Sequence, residues 1–183
     1  MRTLRADEIE VRVGTVGQTK KGDGYATLLL YKTSRVDRQM LDEEYGALNW
    51  QCKYADHKGN LFCSIGVWDE KKAQWVWKED AGAESNMEKT KGESSDAFKR
   101  AGFRWGIGIE LYTAPTIFAE VATVPDPYNK GKYKMHNPYE LNGAYVSRIT
   151  YTPQRKIKDL DIAIKGRYIW STDKRKAGMK VDE

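Results

Sequence analysis

The sequence is short of the residues on which much protein chemistry depends. It has two cysteines, Cys52 and Cys63, two histidines, His57 and His136, and five prolines in 183 residues. Two cysteines permit at most one disulfide, too few for the framework of a small secreted fold. No apolar run approaches the roughly 18 residues of a membrane-spanning helix. The N-terminal residues lack the charged-then-apolar pattern of a leader. The expectation is a cytoplasmic protein with no membrane partner.

The same scarcity narrows the chemistry. Cys52, His57 and Cys63 have the spacing Cys-x4-His-x5-Cys, and His136 could supply a fourth zinc ligand. That is not the spacing of a zinc finger, and His57-Lys58-Gly59-Asn60 reads as a hairpin turn. Two thiols in a sheet are the simpler reading. Both histidines fall in turn-like sequence, and there is neither a nucleophile elbow nor a Ser/His/Asp set, so histidine acid–base catalysis is not expected. Gly14-Thr15-Val16-Gly17 and Gly22-Asp23-Gly24 lack the Gly-Lys-Ser/Thr that completes a phosphate loop. Asp42, Glu43, Glu44, Glu84 and Glu88 could hold a nuclease metal only by converging from separate elements. On amphipathic helices they read as solvated carboxylates. No enzyme activity and no cofactor follow.

What the chain has in quantity is aromatic rings and cations. Six Trp and eleven Tyr supply large buried areas to a chain whose apolar fraction is a modest 40%. The formal net charge is +5. Residues 119–183 hold 13 of the 31 Lys and Arg but 8 of the 26 Asp and Glu, and 13 − 8 = 5, so residues 1–118 are neutral. A basic C-terminal third attached to a neutral domain suits a polyanionic partner.

The chain reads as α+β. Residues 1–13 form a short amphipathic element ending near Gly14. Thr33 or Ser34 caps a helix on which Val36, Met40, Leu41 and Tyr45 repeat, and Gly46 stops it. Trp50, Cys52 and Tyr54 alternate with Gln51, Lys53 and Ala55, and Leu61, Cys63, Ile65 and Val67 with Phe62, Ser64, Gly66 and Trp68, as strands do. The turns at 56–60 and 69–72 join these to a third strand over 73–78. The spacing predicts a curved antiparallel meander of three or more strands packed on a central helix over 84–105, with a short helix before it. After Pro115, strands are expected over 145–151, 159–164 and 166–170. The division expected is a core over 1–118 and a basic β-rich C-terminal extension over 119–183, either separate or part of the same domain.

The central helix is the most informative stretch. Ser94, Ala97, Ala101 and Gly102 give it a narrow face for close approach, while Phe98, Phe103 and Trp105 supply apolar anchors. Arg100 and Arg104 stack one turn apart, and two cations at that spacing repel unless an anion lies across them. On spacing alone these are a solvated face, with Asp96 pairing Arg100 at i−4.

The order of residues around Asp96-x2-Lys99-Arg100-Ala101, followed by a Gly-punctuated apolar exit to Leu111-Tyr112, resembles the Rad-type single-strand annealing proteins. These are the eukaryotic Rad fifty-two recombination mediator and its phage relatives. Upstream, Tyr31 to Trp50 is similar to that family's short helix, aromatic-Gly turn and Asn-Trp strand start. The resemblance covers roughly residues 8–112. It implies binding of single-stranded DNA and annealing of complementary strands in recombination and repair, without a nucleotide cofactor. It further implies rings or helical oligomers of like copies. A phage recombination exonuclease or a host single-strand binding protein would be a further partner. Lys99 and Arg100 match the adjacent basic pair of the family's inner DNA groove, and Arg12 is similar to a third contact. Arg104 joins them by its one-turn spacing from Arg100. A passive single-strand binder or accessory phage protein is the alternative.

Overall fold

The computed structural model describes residues 1–83 and 89–181, the side chains of 89–91 excepted. It is an α+β protein of mostly antiparallel strands with two α-helices, and no described helix is long and apolar enough to cross a membrane.

The chain divides into two compact units. The first comprises Met1–Leu4 and Lys32–Ile109. Its first helix, α1 (Ser34–Tyr45), buries Met40 and Leu41 as their spacing requires. The backbone carbonyl of Thr33 receives the first turn's N–H groups, while its side chain makes no cap bond. Gly46, at φ 82°, closes the helix by donating its N–H to the Asp42 carbonyl. Three strands follow in chain order, β3 (Trp50–His57), β4 (Asn60–Asp69) and β5 (Gln74–Ala81), paired antiparallel without irregularity. Lys58 and Gly59, both at positive φ, make the two-residue turn that pairs His57 with Asn60.

Alternation then sorts the sheet into two faces. Cys63, Ile65 and Val67 of β4 are buried beneath the second helix, α2 (Lys89–Arg104). Ala97, Phe98 and Ala101 form the apposed helix face, and Trp105 Nε1 donates to the Ile65 carbonyl at 3.1 Å. The expected helix began at residue 84; residues 84–88, with Glu84 and Glu88, lie outside the described residues. Trp105 falls just past its end, where Gly106 and Gly108 take positive φ.

The narrow face of α2 meets a charged pair. Lys32 Nζ donates to Asp37 Oδ1 with both side chains buried, donates again to the Lys99 carbonyl at 3.1 Å, and lies 4.1 Å from the Phe103 ring centroid. A Cβ at Gly102 would overlap Asp37 Oδ1, and one at Gly108 would lie 2.7 Å from Lys32 Cδ. Gly102→Ala is therefore expected to cost about 1–3 kcal/mol, because neither the ion pair nor the helix backbone can yield. Urea unfolding of this variant measures it, and an unchanged midpoint would show that the helix shifts freely.

The second unit comprises Arg5–Tyr31 and Glu110–Glu183. Its six-stranded sheet has the order β11-β10-β9-β1-β2-β6, built from β1 (Glu10–Gln18), β2 (Gly24–Tyr31), β6 (Ile117–Glu120), β9 (Tyr145–Tyr151), β10 (Ile157–Ile164) and β11 (Arg167–Ser171). A two-stranded ribbon, β7 (Thr123–Pro125) with β8 (Tyr133–Met135), completes it.

Two expectations need correcting. The N-terminal element does not end near Gly14: after a 3-10 turn, Ala6–Glu8, β1 runs through Gly14 and Gly17 to Gln18. A Cβ at Gly14 would lie 2.8 Å from Thr27 Oγ1, and one at Gly17 2.8 Å from the Tyr25 hydroxyl. These glycines admit cross-strand side chains and do not turn the chain. Nor does the chain divide at residue 118. The hairpin β1–β2 shares a sheet with the C-terminal strands, through Glu10 opposite Tyr145 and Ala26 opposite Ala119.

Candidate nucleic-acid interface

Three of the four basic residues singled out in the sequence lie together on α2 in the first unit. Arg100 and Arg104 share one carboxylate, Asp80, near the end of β5: Arg100 Nε is 3.5 Å from Oδ1 and Arg104 Nε 3.1 Å from Oδ2. The anion that their one-turn spacing demands is thus internal. Both guanidiniums stay open to water, with side chains 48% and 62% exposed, while that of Asp80 is 19% exposed. Burial alone would raise the Asp80 carboxyl. The Ala81 N–H and the two guanidiniums outweigh it and hold Asp80 below the usual carboxylate range.

Asp96 does not pair with Arg100. It lies 3.6 Å from Lys99 Nζ and accepts the Ala83 N–H at 3.1 Å. Asp80 takes Arg100 because it is already partly desolvated and fixed by its bond to Ala81 N–H, so little freedom is lost in pairing.

Two cations missed in the sequence lie against α2 and its C-terminal exit. Lys78 of β5 donates to the Arg104 carbonyl at 3.0 Å and stands 4.3 Å from the Trp105 ring centroid. It caps the negative end of α2 while stacking on an aromatic face. Arg38 of α1 is exposed, with its guanidinium 5.4 Å from the centroid of the Phe98 ring. A sequence signal existed for Arg38, which stands three residues before Leu41 and seven before Tyr45 on the same helix face. Among the described residues, the surface around Asp80 and Asp96 thus presents Lys78, Lys99, Arg100 and Arg104, four cations against two carboxylates. A net positive band with an aromatic ring at its end can track a phosphodiester backbone.

Arg12 lies on β1 in the second unit, paired with Glu10 at 2.6 Å and 5.0 Å from the Tyr31 ring centroid.

Among the described residues the other weighed sites do not assemble. His57 and the two cysteines cannot converge, because His57 projects from the opposite face of β3 to Cys52, and burial pushes the Cys63 thiol up to about 12. Asp42 accepts the Trp50 indole N–H, Glu43 pairs with Arg2, and Glu44 with the N-terminal amine. Among the described residues no cluster of three or more potential metal ligands occurs.

Comparison with protein-family models, curated proteins and solved structures finds no significant match.

Proposed function

We propose that this chain binds single-stranded DNA and promotes annealing of complementary strands, as the Rad-type proteins it resembles do. The observation that carries the reading is the band of Lys78, Lys99, Arg100 and Arg104, held on a rigid helix-on-sheet scaffold with its guanidiniums open to water. Such a band neutralises phosphates without reading bases. It leaves base edges free, so that pairing with a second strand supplies the driving free energy. No covalent step or cofactor is involved. Like copies extending the band from subunit to subunit, in a ring or filament, would lengthen the track. The surroundings would be the cytoplasm of a phage-infected or prophage-bearing cell. There a recombination exonuclease would supply single strands, and a host single-strand binding protein would compete for them.

The test is a titration of labelled oligonucleotides of unrelated sequence at several salt concentrations, followed by annealing of a complementary pair. Binding is expected to be sequence-indifferent and to weaken with salt, with a log–log slope of about −0.7 for each phosphate neutralised. Annealing should proceed faster than the protein-free control. Binding without accelerated annealing would reduce the protein to a passive single-strand binder. Absence of binding in low salt would sink the reading.

A further inference from the structure

The sheet face turned away from α2 carries an unassigned feature. Alternation places Lys53 of β3, Phe62, Gly66 and Trp68 of β4, and Trp75 and Trp77 of β5 on this side. Trp68 and Trp75 are direct cross-strand partners, with ring centroids 5.7 Å apart and planes at 66°. Trp75 and Trp77 follow at 6.2 Å and 37°. Trp77 lies flat on the sheet. A Cβ on Gly66, its cross-strand partner, would meet three of its ring atoms at 2.8, 2.8 and 2.9 Å. Glycine at that position is what lets an indole lie face-down. On its open side the Lys53 ammonium stands 4.0 Å from the ring centroid. At the far end of β4, Phe62 packs edge-on against His57, their centroids 5.3 Å apart.

Among the described residues of these strands, this face contains no Leu, Ile, Val or Met. Its apolar content is ring faces and alanine, with polar side chains between, so it lacks the aliphatic material of a packed protein core. What it offers is flat π-surface in a row, with exposed lysines in the middle (Lys53) and in the turns at either end (Lys58 and Lys71). Every nucleobase has a π-face that can stack on such rings, and cations beside them meet the phosphates between bases. A cation already poised over Trp77 shows that the ring face is open to an electron-poor partner.

We propose that the outward face of β3–β5 is a base-stacking platform for a single polynucleotide strand, with Trp75 and Trp77 taking bases and Lys53 moving from the Trp77 ring to a phosphate. The proposal rests on the reading of the chain as a single-strand binder. It adds a surface on the opposite side of the sheet from the α2 cations, with a different physical basis: stacking, where α2 supplies charge.

The experiment compares, for the full chain, the affinity for an oligothymidine with that for an abasic sugar-phosphate strand of equal length. Wild type is expected to prefer the strand that carries bases. Trp77→Leu, which keeps apolar cover over Gly66, should lose roughly tenfold of that preference while its salt slope stays unchanged. Lys53→Glu, at an exposed position that leaves the fold alone, should weaken oligothymidine binding comparably. It decides the matter if circular dichroism shows the Trp77 variant unfolded. Lys99→Ala with Arg100→Ala should do the reverse, flattening the salt slope and keeping the base preference. If wild type binds but the Trp77 and Lys53 variants keep its full preference, the platform is wrong and the single-strand reading stands. Should those variants instead alter the mass of the assembly with the preference intact, the face joins copies of this chain and the proposal is overturned. If wild type binds neither strand in low salt, both fall together.

Discussion

Lys32→Met is expected to lose about 3–5 kcal/mol of stability at pH 7, the usual cost of leaving one member of a buried ion pair without its partner. The orphaned group would be Asp37. Its Oδ1 accepts from Lys32, its Oδ2 already has no hydrogen-bond partner, and Gly102 presses against it. Burial pushes the Asp37 carboxyl from 3.8 up to about 6, against the pull of Lys32. Removing Lys32 removes that pull, so the carboxyl rises further. The sign of the pH dependence follows. From about pH 4 upward the unfolded chain releases this proton while the folded protein keeps it until its own, higher pKa. Stability therefore falls as pH rises through that window, and a shift of about two units corresponds to about 3 kcal/mol. In wild type the fall ends near pH 6; in Lys32→Met it should be deeper and extend to higher pH. Acid should accordingly rescue the single variant. Adding Asp37→Asn should rescue it at every pH, because an amide needs no counter-charge. Urea unfolding between pH 4 and 8 measures all of this. A Lys32→Met protein with wild-type stability at pH 7 would show that water reaches the pair.

What could be read in the sequence was local. The Lys58-Gly59 hairpin, the helix stop at Gly46 and the alternation of Cys63, Ile65 and Val67 each lie within a few residues, where turn chemistry and periodicity act. The small-residue face of α2 was legible too, although its partner was not. Nothing near residue 102 announces that Gly102 faces a carboxylate on another helix. Non-local pairing left no trace. Glu10 sits opposite Tyr145 across well over a hundred residues, so composition suggested a boundary at 118 that the sheet ignores. The same limit applies at the candidate interface. Helical spacing brings Arg100 and Arg104 together. Their shared anion was missed because the strand expected over 73–78 stops short of Asp80, whereas β5 runs on to Ala81. The aromatic row escaped notice for a related reason. Trp75 and Trp77 alternate with Val76 in a pattern that does not say which face is covered, and only α2 packing on the Val67 side settles it.

Replacing Lys99, Arg100 and Arg104 together with alanine is expected to remove most salt-sensitive binding to single strands, lowering the log–log salt slope by about two units. Each side chain should account for somewhat under one unit, equally for every oligonucleotide sequence, since a phosphate contact carries no base information. The fold should survive. Arg100 and Arg104 are exposed members of surface pairs, which contribute at most about 1 kcal/mol. Asp80 provides the test of opposite sign. Asp80→Asn removes the anion that both guanidiniums now face and leaves an amide of the same shape beside the Ala81 N–H. If the band binds by charge, this variant should bind more tightly in low salt and show a steeper slope, at a small cost in stability from the repulsion left between the two arginines. Lys20 and Lys21, in the β1–β2 turn, serve as controls and should bind as wild type when replaced by alanine. Loss of binding in those turn variants, with the α2 variants unaffected, would place the strand elsewhere on the molecule. Weaker binding by Asp80→Asn would mean that Asp80 holds the arginines in a binding geometry, which matters more than the charge it cancels.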